Sequence, residues 1–488
     1  MSMIVDELIY QIRQNLGMTP TREQAAAMDV FARFAVSRTP QSAMIMCGSA
    51  GTGKTTLASA IVRTLEQIGR KMMLLAPTGR AAKVFALSSG HEAFTIHRKI
   101  YRQRAVDAAG GSFDLNYNRM NYTLFIVDEA SMISNRQSES IFGSGRLLDD
   151  LLQFVFSGMN CKIMFIGDSA QLPPVGDEQS PALSEDTLRA YGLEVSKCEL
   201  NEVMRQADGS GILTNATVIR RMIENDNPLA ALPKVKFSGF PDIEMVTGGE
   251  LIETLSTSYS RVGIDETIVI TRSNKRANIY NQGIRNQVLG REDFLQTGDM
   301  LMIVKNNYFW IETNNADSDE QTSEESDDNT PSFIANGDIA VVRKVRRQRQ
   351  FYGFDFADVW LTLPDYDDYE VQATIITDAL MSDAPALTHE QSEQLYYSVI
   401  EDYADIPTRE ERIKKLREDI HYNALQVKFA YAVTCHKAQG GQWAHVYVDQ
   451  GYMTDDMLTP DYIHWLYTAF TRATEKLYLV NWPKTQTI

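Results

Sequence analysis

The stretch Gly48-Ser49-Ala50-Gly51-Thr52-Gly53-Lys54-Thr55 lies between an apolar run at residues 43–47 and a helical pattern at 56–68. Glycines at both ends allow the backbone to curl, so that successive N–H groups point at phosphate oxygens. Lys54 supplies a charge for the β- and γ-phosphates, and the Thr55 hydroxyl supplies a ligand for Mg²⁺. The alternative is a chance glycine-rich turn, but the strand before it and the helix after it favour a site for a nucleoside triphosphate.

Length and composition indicate a multidomain protein. The 488 residues suggest about three domains, and 44% hydrophobic and 23% charged residues are ordinary values for a globular chain. No apolar stretch approaches the ~20 residues that span a bilayer, and no signal pattern opens the chain, so we predict a cytoplasmic protein that binds no membrane. The four cysteines show no paired spacing, which favours buried free thiols over a disulfide framework or a metal site: Cys47, Cys161, Cys198 and Cys435.

The distribution of charge is more informative than the net charge of −17. Residues 312–330 carry eight carboxylates and no basic side chain among Ser, Thr and Asn, so we predict an acidic disordered loop there. The net charge argues against indiscriminate wrapping of a polyanion but not against a local basic groove. The densest basic cluster is predicted to be either a nucleic-acid contact or a solvated edge strand: Arg343, Lys344, Arg346, Arg347 and Arg349.

Apolar strand candidates alternate with helical stretches along the first half of the chain. Short apolar runs separated by helices predict a parallel sheet covered on both faces, and thus an α/β domain: 43–47, 71–76, 124–128 and 162–167. Residues 101–121, with Gly110-Gly111, break this pattern and predict a projecting hairpin.

The second half repeats the strand and helix pattern around an insertion. A block at 266–287 and another from 427 onward predict one further sheet. Between them, residues 298–425 open with strand patterns and close with a helical stretch of mixed charge at 388–417. The strand patterns predict a small barrel: 300–304, 339–345 and 358–363.

Two further strand ends carry candidate catalytic residues. The strand at 122–127 delivers Asp128 and Glu129 at its carboxyl end, where ligands gather in an open α/β sheet. Asp128 is placed to hold Mg²⁺ through water, and Glu129 to orient and deprotonate the attacking water, although paired acids are also common in surface loops. Gln171 follows the strand at 162–167 and is a candidate sensor of the γ-phosphate; a helix-breaking loop before Pro173-Pro174 is the alternative.

Phosphoryl transfer concentrates charge on oxygens that arginines stabilise. Arg205 and Arg472 are the candidates. The alternative for either residue is an ordinary salt bridge at the surface. Their separation in sequence is what a clamp across a cleft requires.

Taken in order, these segments resemble the motif series of superfamily 1 helicases, and their spelling is similar to the RecD and Dda branch. The segments that carry this resemblance are Thr21-Arg22-Glu23-Gln24-Ala25, 48–55, 76–83, 95–97, 128–131, 167–171 and 431–440. The resemblance implies that Gln24 reads the adenine edge, that Arg205 and Arg472 are arginine fingers, and that Lys54, Glu129 and Gln171 act in catalysis. It implies that ATP is bound by Gln24, Asp128 and the phosphate loop with its next residue: Gly48, Ser49, Ala50, Gly51, Thr52, Gly53, Lys54, Thr55 and Thr56.

The branch also implies an architecture of two RecA-like motor domains with two insertions. The first motor domain is expected at 1–230, with the hairpin or pin at 101–121. The second is expected at 231–297 and 426–488. The insertion at 298–425 is expected to form an SH3-like barrel and a helical arm, and the acidic loop at 312–330 lies within it.

The resemblance implies a DNA-binding surface on which hydroxyls, imidazoles and cations hold phosphates without reading bases. The candidates are Thr78, Arg80, Lys83, Thr95, His97, Thr434 and His436. Capping of helices by the threonines and solvation of the cations are the alternatives. Phe113, next to the glycine pair of the hairpin, is expected either to stack on the junction base pair or only to anchor the hairpin.

The implied function is an ATP-dependent DNA helicase that uses Mg²⁺, moves 5′ to 3′ on single-stranded DNA and unwinds duplex junctions. A monomer is expected, with single-strand-binding, replication or repair proteins as partners. The alternatives are an RNA-directed helicase, a protein that uses ATP as a switch without translocating, and a P-loop kinase, which would leave the second domain with Arg472 unexplained.

Overall fold

The computed structural model describes residues 2–103, 113–137, 143–202, 209–224, 232–317 and 333–488. Arg205 lies outside the described residues, and so does the part of the predicted acidic loop at 318–330. The described residues form two parallel sheets flanked by helices, and a closed barrel. The α/β class with parallel sheets is therefore confirmed.

The first lobe is built on a six-stranded parallel sheet. The strands of this sheet are β1 (Ser42–Gly48), β2 (Met72–Ala76), β3 (Ala93–Thr95), β6 (Leu124–Val127), β7 (Lys162–Gly167) and β8 (Glu194–Leu200). The order in the sheet is β3-β2-β6-β7-β1-β8. A separate two-stranded sheet consists of β4 (Tyr101–Gln103) and β5 (Phe113–Leu115). β4 and β5 pair antiparallel, and residues 104–112 of the predicted hairpin lie outside the described residues.

The central strand β1 shows why the sequence reads as an uninterrupted apolar run. Ala43, Ile45 and Cys47 pack into one core, and Met44 and Met46 pack into the core on the opposite face of the sheet. Because helices cover both faces, neither set of side chains meets water. The helices of this lobe are α1 (Ser2–Leu16), α2 (Arg22–Val36), α3 (Lys54–Gln67), α4 (Gly79–Ser89), α5 (Ile96–Ile100), α6 (Leu147–Ser157) and α7 (Glu185–Ala190).

Helix α8 (Gly211–Glu224) packs against the second lobe. Its buried residues Ile212, Ala216 and Ile219 belong to the same core as Trp465 and Leu477. This helix lies inside the range 1–230 that the sequence assigns to the first motor domain, and that boundary stays a prediction.

The second lobe is a five-stranded parallel sheet in the order β16-β10-β17-β18-β9. Its strands are β9 (Ile243–Val246), β10 (Thr267–Thr271), β16 (Ala432–Thr434), β17 (Trp443–Asp449) and β18 (Ala473–Val480). Its helices are α9 (Leu251–Val262), α10 (Asn274–Gly283), α15 (Cys435–Ala438) and α16 (Pro460–Phe470). The two separate segments that the sequence assigns to this sheet do come together, since β10 pairs with both β16 and β17.

A closed five-stranded barrel interrupts the second lobe, as the strand patterns predict. It consists of β11 (Met300–Ile303), β12 (Ile339–Phe351), β13 (Phe354–Leu363), β14 (Tyr369–Ile376) and β15 (Leu425–Phe429). Its first and last strands are paired neighbours, with Leu301 opposite Phe429. The interior is filled by aliphatic side chains such as Ala340, Val342 and Leu361.

Helices occupy both sides of this barrel. Helix α12 (Asp378–Met381) follows β14, and α13 (His389–Glu401) and α14 (Arg409–Glu418) form the predicted helical arm. Leu395, Val399 and Leu416 of the arm bury against Phe354 and Phe356 of β13. Contact between the arm and the hairpin stays a prediction.

The predicted disordered loop at 312–330 begins inside a helix instead. Helix α11 covers Phe309–Asp317 and therefore includes residues 312–317. The reason is local: Trp310 and Ile311 are buried in the barrel core and hold the segment against it. The acidic composition of 312–330 hid this apolar anchor at its edge.

The described residues contain no helix that is long and apolar enough to cross a bilayer. Cys47, Cys161 and Cys435 are buried free thiols, as predicted, and Cys198 is a half-buried free thiol.

Candidate nucleotide and nucleic-acid sites

The loop at 48–55 joins β1 to α3 and has the backbone geometry that its glycines predict. Gly51 and Gly53 adopt φ angles of +77° and +78°, which side-chained residues rarely tolerate. At Gly48 a Cβ atom would lie 2.7 Å from the Leu200 carbonyl oxygen of the neighbouring strand β8. The three glycines therefore serve the curvature of the loop and its close approach to β8.

The predicted phosphate-binding lysine lies inside this loop. Its Nζ donates to the carbonyl oxygens of Gly48 at 2.7 Å and Ser49 at 2.9 Å. Thr52 closes the loop by donating its hydroxyl to the Ser49 carbonyl at 2.8 Å. Lys54 is thus held against the loop by neutral carbonyl acceptors that a phosphate outcompetes, because hydrogen bonds to an ionised acceptor are stronger.

Gln24 is buried and supports the loop from α2. Its Nε2 donates to the Thr52 carbonyl at 3.0 Å, and its Oε1 accepts the Thr21 N–H at 3.1 Å. Thr21 in turn caps the helix by accepting the Gln24 N–H, which completes a capping box. Gln24 therefore ties the helix start to the phosphate loop, and its contact with adenine stays a prediction.

Asp128 and Glu129 follow β6 at the same edge of the sheet. Burial, and next the neighbouring Glu129 charge, raise the pKa of Asp128 to about 7. Its Oδ1 accepts the Glu129 N–H at 2.8 Å. Glu129 adopts φ +49°, a left-handed conformation that costs a side-chained residue about 1 kcal/mol or more. Glu129 Oε1 lies 3.9 Å from Arg472 Nη1 of the second lobe.

These residues fit a divalent cation. A desolvated carboxylate that resists ionisation gains most from a neighbouring dication, and Asp128 is such a group. The Lys54 charge acts on Asp128, and Lys54 begins α3 with the hydroxyls of Thr55 and Thr56 next in sequence. Among the described residues, no group of three or more His, Cys, Asp or Glu side chains has the arrangement of a protein-only metal site. A magnesium ion held by one carboxylate, one hydroxyl and the phosphates of its nucleotide is consistent with both observations.

Gln171 lies in the segment after β7. It is 6% exposed, and its Oε1 has no hydrogen-bond partner among the described residues. A buried amide oxygen without a partner costs free energy unless a ligand or water satisfies it. The structure thus keeps this side chain available at the cleft, as the sensor role requires.

Arg472 reaches the same cleft from the second lobe. Its Nη1 lies 3.9 Å from Glu129 Oε1, and the side chain is 2% exposed. Donation from Nε to the Thr468 carbonyl and from Nη1 to the Gly441 carbonyl, both at 3.1 Å, fixes the guanidinium. Arg472 therefore approaches Glu129 across the two lobes, and its role as an arginine finger stays a prediction; Arg205 lies outside the described residues.

Sequence reasoning missed three residues beside this cleft: Asp168, Arg220 and Tyr467. The Tyr467 hydroxyl donates to Asp168 Oδ2 at 2.5 Å, and Arg220 Nη1 lies 2.5 Å from Asp168 Oδ1. An acid at the end of the apolar strand β7 is the one signal that the sequence offered for this network. Tyr467 reads as a core residue in an apolar helix, and Arg220 as a surface residue.

The threonines predicted to bind DNA lie at the carboxyl ends of strands in both sheets. Thr78 and Thr95 accept the N–H groups of Ala81 and Arg98 and so cap α4 and α5. Thr434 precedes α15 without capping it and pairs with Thr271 in the second sheet. The capping alternative thus applies to the first two threonines, and the Thr434 hydroxyl makes no such bond.

The other candidates of this surface have distinct surroundings. Burial lowers the pKa of His97 to about 4, so the ring is neutral at pH 7, and its contact with a phosphate stays a prediction. His436 is exposed. The structure describes the backbone of Phe113 within β5, and its role stays a prediction.

Arg80 and Lys83 are engaged by the rest of the molecule. Arg80 donates to the Gln442 carbonyl at 2.9 Å and its guanidinium lies 4.2 Å from the centre of the Trp443 ring. Lys83 donates to the Pro364 carbonyl at 2.7 Å and lies 3.7 Å from Asp365. Helix α4 is therefore held by the second lobe and by the barrel, and solvation alone does not describe its cations.

Comparison with known proteins agrees with this site. Residues 20–234 match the model of an AAA domain, and residues 429–480 match that of a UvrD-like helicase C-terminal domain. The chain is 30% identical over 199 residues to the ATP-dependent RecD2 DNA helicase of Deinococcus radiodurans, and 26% identical over 268 residues to the ATP-dependent DNA helicase dda of Enterobacteria phage T4.

This chain is homologous to the RecD2 and Dda helicases. The resemblance drawn from the motif series is thereby confirmed. The matched segments cover 40% and 52% of this chain, but only 23% of RecD2 and 55% of Dda. A solved Pif1 helicase from Bacteroides, in complex with ADP-AlF3 and single-stranded DNA, aligns with 96% of this chain and 94% of its own at 14% identity and a TM-score of 0.46.

Proposed function

We propose that this protein is an ATP-dependent DNA helicase that moves 5′ to 3′ on single-stranded DNA and unwinds duplex DNA. The approach of Arg472 to within 3.9 Å of Glu129 carries the proposal, because it joins the two lobes at one seam. A switch or a kinase has no need of a second lobe that reaches the hydrolytic acid. The names of the RecD2 and Dda relatives support the substrate and the reaction.

Each residue of the seam has a role in hydrolysis. Lys54 and the N–H groups of the loop bind the phosphates, and Glu129 accepts a proton from the attacking water. Gln171 orients that water with its unpaired amide, and Arg472 stabilises the charge that develops on the γ-phosphoryl oxygens. Asp128 and Thr55 would hold Mg²⁺, which neutralises charge on the β- and γ-phosphates when bound.

Translocation follows from a DNA strand held by both lobes. Thr78, Thr95 and His97 lie on the first lobe, and Thr434 and His436 on the second, so closing the cleft shortens the distance between two grips. We propose that the barrel is the SH3-like insertion and that α13 and α14 are its arm. The hairpin, with Phe113 at the start of its second strand β5, is the proposed strand-separating pin. A monomer suffices for this mechanism, since one chain supplies both lobes.

Substitution of Lys54 tests the ATP site. Lys54→Ala is expected to abolish both ATP hydrolysis and strand displacement, since no other described cation lies within the loop. Arg33→Ala, an exposed residue of α2, serves as the control. A Lys54→Ala protein that still unwound DNA with ATP would refute the assignment.

Tailed duplexes test the substrate and the direction. Displacement of a strand from a duplex with only a 5′ tail, and not from one with only a 3′ tail, is expected. Stimulation of the ATPase by single-stranded RNA rather than DNA would favour an RNA helicase. Hydrolysis that DNA does not accelerate would favour a nucleotide switch.

A further inference from the structure

The hydroxyl of Tyr467 connects the second lobe to two parts of the first. It donates to Asp168 Oδ2 at 2.5 Å and accepts the Ala50 N–H of the phosphate loop at 3.1 Å. The residue is fully buried within α16. One oxygen atom thus touches both the loop that binds phosphates and the segment that carries Gln171.

The direction of these two hydrogen bonds is fixed by their partners. Asp168 is 1% exposed and already receives Arg220 Nη1 at 2.5 Å and the Ala170 N–H at 3.1 Å. A carboxylate beside a guanidinium only accepts hydrogen bonds, so the single proton of the tyrosine must point at Asp168. The lone pairs of the hydroxyl then face the Ala50 N–H. A phenylalanine at this position would lose both bonds and keep the ring.

Helix α16 grips the segment 168–172 along one face. His464, Tyr467 and Thr468 are spaced by three and four residues, so they share one side of the helix. His464 Nδ1 lies 2.9 Å from the Ala170 carbonyl oxygen, and Thr468 Oγ1 accepts the Leu172 N–H at 2.8 Å. Gln439, the residue that follows α15, donates its Nε2 to the Leu172 carbonyl at 2.6 Å. The second lobe therefore fixes the backbone on both sides of Gln171.

The same helix leads directly to Arg472. Thr468 provides the carbonyl that holds the Arg472 guanidinium at 3.1 Å, one residue after the tyrosine. The groups that hold Gln171 and the group that holds Arg472 are therefore consecutive on one rigid element. A shift of α16 displaces both at once.

We propose that Tyr467 is a positioning residue for ATP hydrolysis. Its hydroxyl docks the second lobe on the phosphate loop and orders the Gln171 segment, so that Gln171 and Arg472 reach the γ-phosphoryl group in the same closing event. The inference rests on the proposed ATPase activity of this seam. Tyr467 acts through Asp168 and Ala50 and does not itself contact the reacting atoms.

Tyr467→Phe tests the inference against a matched control, Tyr462→Phe. Tyr462 is equally buried in the same helix, but its hydroxyl donates at 2.5 Å to Gln450 of its own lobe. Both variants lose buried hydroxyl hydrogen bonds, two at Tyr467 and one at Tyr462, and both should unfold at a lowered temperature. We expect Tyr467→Phe to lower the DNA-stimulated kcat by roughly 10- to 100-fold with an ATP KM within about threefold of wild type, and Tyr462→Phe to leave kcat near wild type.

A double variant then tests the route through Gln171. In a Gln171→Ala background, Tyr467→Phe should lower kcat much less than it does in the wild-type background, because the residue that it positions is already gone. Equal kcat values for the two phenylalanine variants, or fully multiplicative losses in the double variant, would overturn the inference. An inactive wild-type protein would instead refute the proposed ATPase and leave the geometry of Tyr467 untouched.

Discussion

Asp128 and Asp168 end neighbouring strands and have opposite surroundings. Asp168 is neutralised by Arg220 and Tyr467, and its role is to hold structure together. Asp128 faces a second carboxylate and a cavity, and burial raises its pKa to about 7. A carboxylate whose charge has no cationic partner is stabilised strongly by a bound cation, whereas a carboxylate that is already ion-paired is stabilised much less. The surroundings of the two aspartates, rather than their residue type, therefore suit Asp128 to cation binding and Asp168 to a structural role.

Asp338 is a third buried acid, and it should make stability depend on pH. Burial raises its pKa to about 7 from 3.8. The folded chain then binds more protons than the unfolded chain, so the contribution of Asp338 to stability is complete below pH 3.8 and is lost as the pH rises through 7. Between pH 5 and pH 7 we expect the free energy of unfolding of wild type to fall by about 2 kcal/mol relative to Asp338→Asn.

Denaturant titrations at several pH values measure this difference. Asp338 Oδ2 accepts the Ala335 N–H at 2.7 Å and the Tyr366 hydroxyl at 3.0 Å, and an asparagine oxygen retains both bonds. Asp29→Asn, at an exposed carboxylate of α2, is the control. Parallel curves for wild type and Asp338→Asn would contradict the prediction.

At the scale of elements, β12 is the most basic part of the chain. It is 13 residues long and runs beyond the barrel core, paired with β13 as a ribbon. Arg349 forms an ion pair with Asp358, while the Arg346 guanidinium lies 4.3 Å from the centre of the Trp360 ring. Arg346 and Arg347 are exposed. A cationic strand with an aromatic ring behind it suits a nucleic-acid backbone.

Charge reversal on this strand should weaken DNA binding in a salt-dependent way. If each arginine contacts one phosphate, Arg346→Glu with Arg347→Glu removes two contacts, and the slope of log Kd against log salt should fall by about 1.5. Arg13→Glu with Arg33→Glu makes the same change of charge on exposed positions of α1 and α2. Fluorescence anisotropy with single-stranded DNA measures both slopes. Identical slopes for the two double variants would indicate a solvated edge strand.

Elements differ in how far the sequence revealed them. β1 and β7 are apolar on both faces and were predicted almost to the residue. β8 lies at the edge of its sheet and alternates exposed Glu194 and Glu199 with half-buried residues, so it carries no apolar run. Tyr467 was hidden for the opposite reason, because a buried tyrosine in an apolar helix looks like core until its hydroxyl is located. Sequence pattern reports burial well, but it does not report which buried polar atoms meet across a seam.

At the scale of the whole molecule, the buried carboxylate of Asp299 helps to join the barrel to the second lobe. Arg285 donates to both oxygens of Asp299 at 3.0 and 2.9 Å, and Arg291 donates to Oδ1 at 2.9 Å. The Tyr431 hydroxyl donates to the same oxygen at 3.1 Å and accepts the Met300 N–H at 3.0 Å. Asp299 precedes the barrel and Tyr431 follows it, so this network locks the entry and the exit of the insertion together.

Loosening this lock should separate hydrolysis from unwinding. Tyr431→Phe keeps the ring and the Arg285 ion pair but loses the hydrogen bonds of the hydroxyl to Asp299, Met300 and Arg291, so the fold should lose roughly 1–4 kcal/mol. We expect DNA-stimulated ATP hydrolysis to change little while the ATP consumed per base pair unwound increases severalfold, because the barrel no longer follows the second lobe rigidly. Tyr403→Phe in the arm, whose hydroxyl donates to Asp419 at 3.0 Å, is the control. An unchanged ATP consumption per base pair in Tyr431→Phe would show that this network does not couple hydrolysis to unwinding.

The paired first and last strands of the barrel have a consequence for the history of such chains. Since β11 and β15 run side by side, the whole insertion departs from and returns to the second sheet at a single point. The strand order of the second sheet contains no barrel strand, so removing the insertion would leave that order unchanged and would require only one short connection in its place. The barrel can therefore be replaced by another insertion without a change in the sheet that carries it.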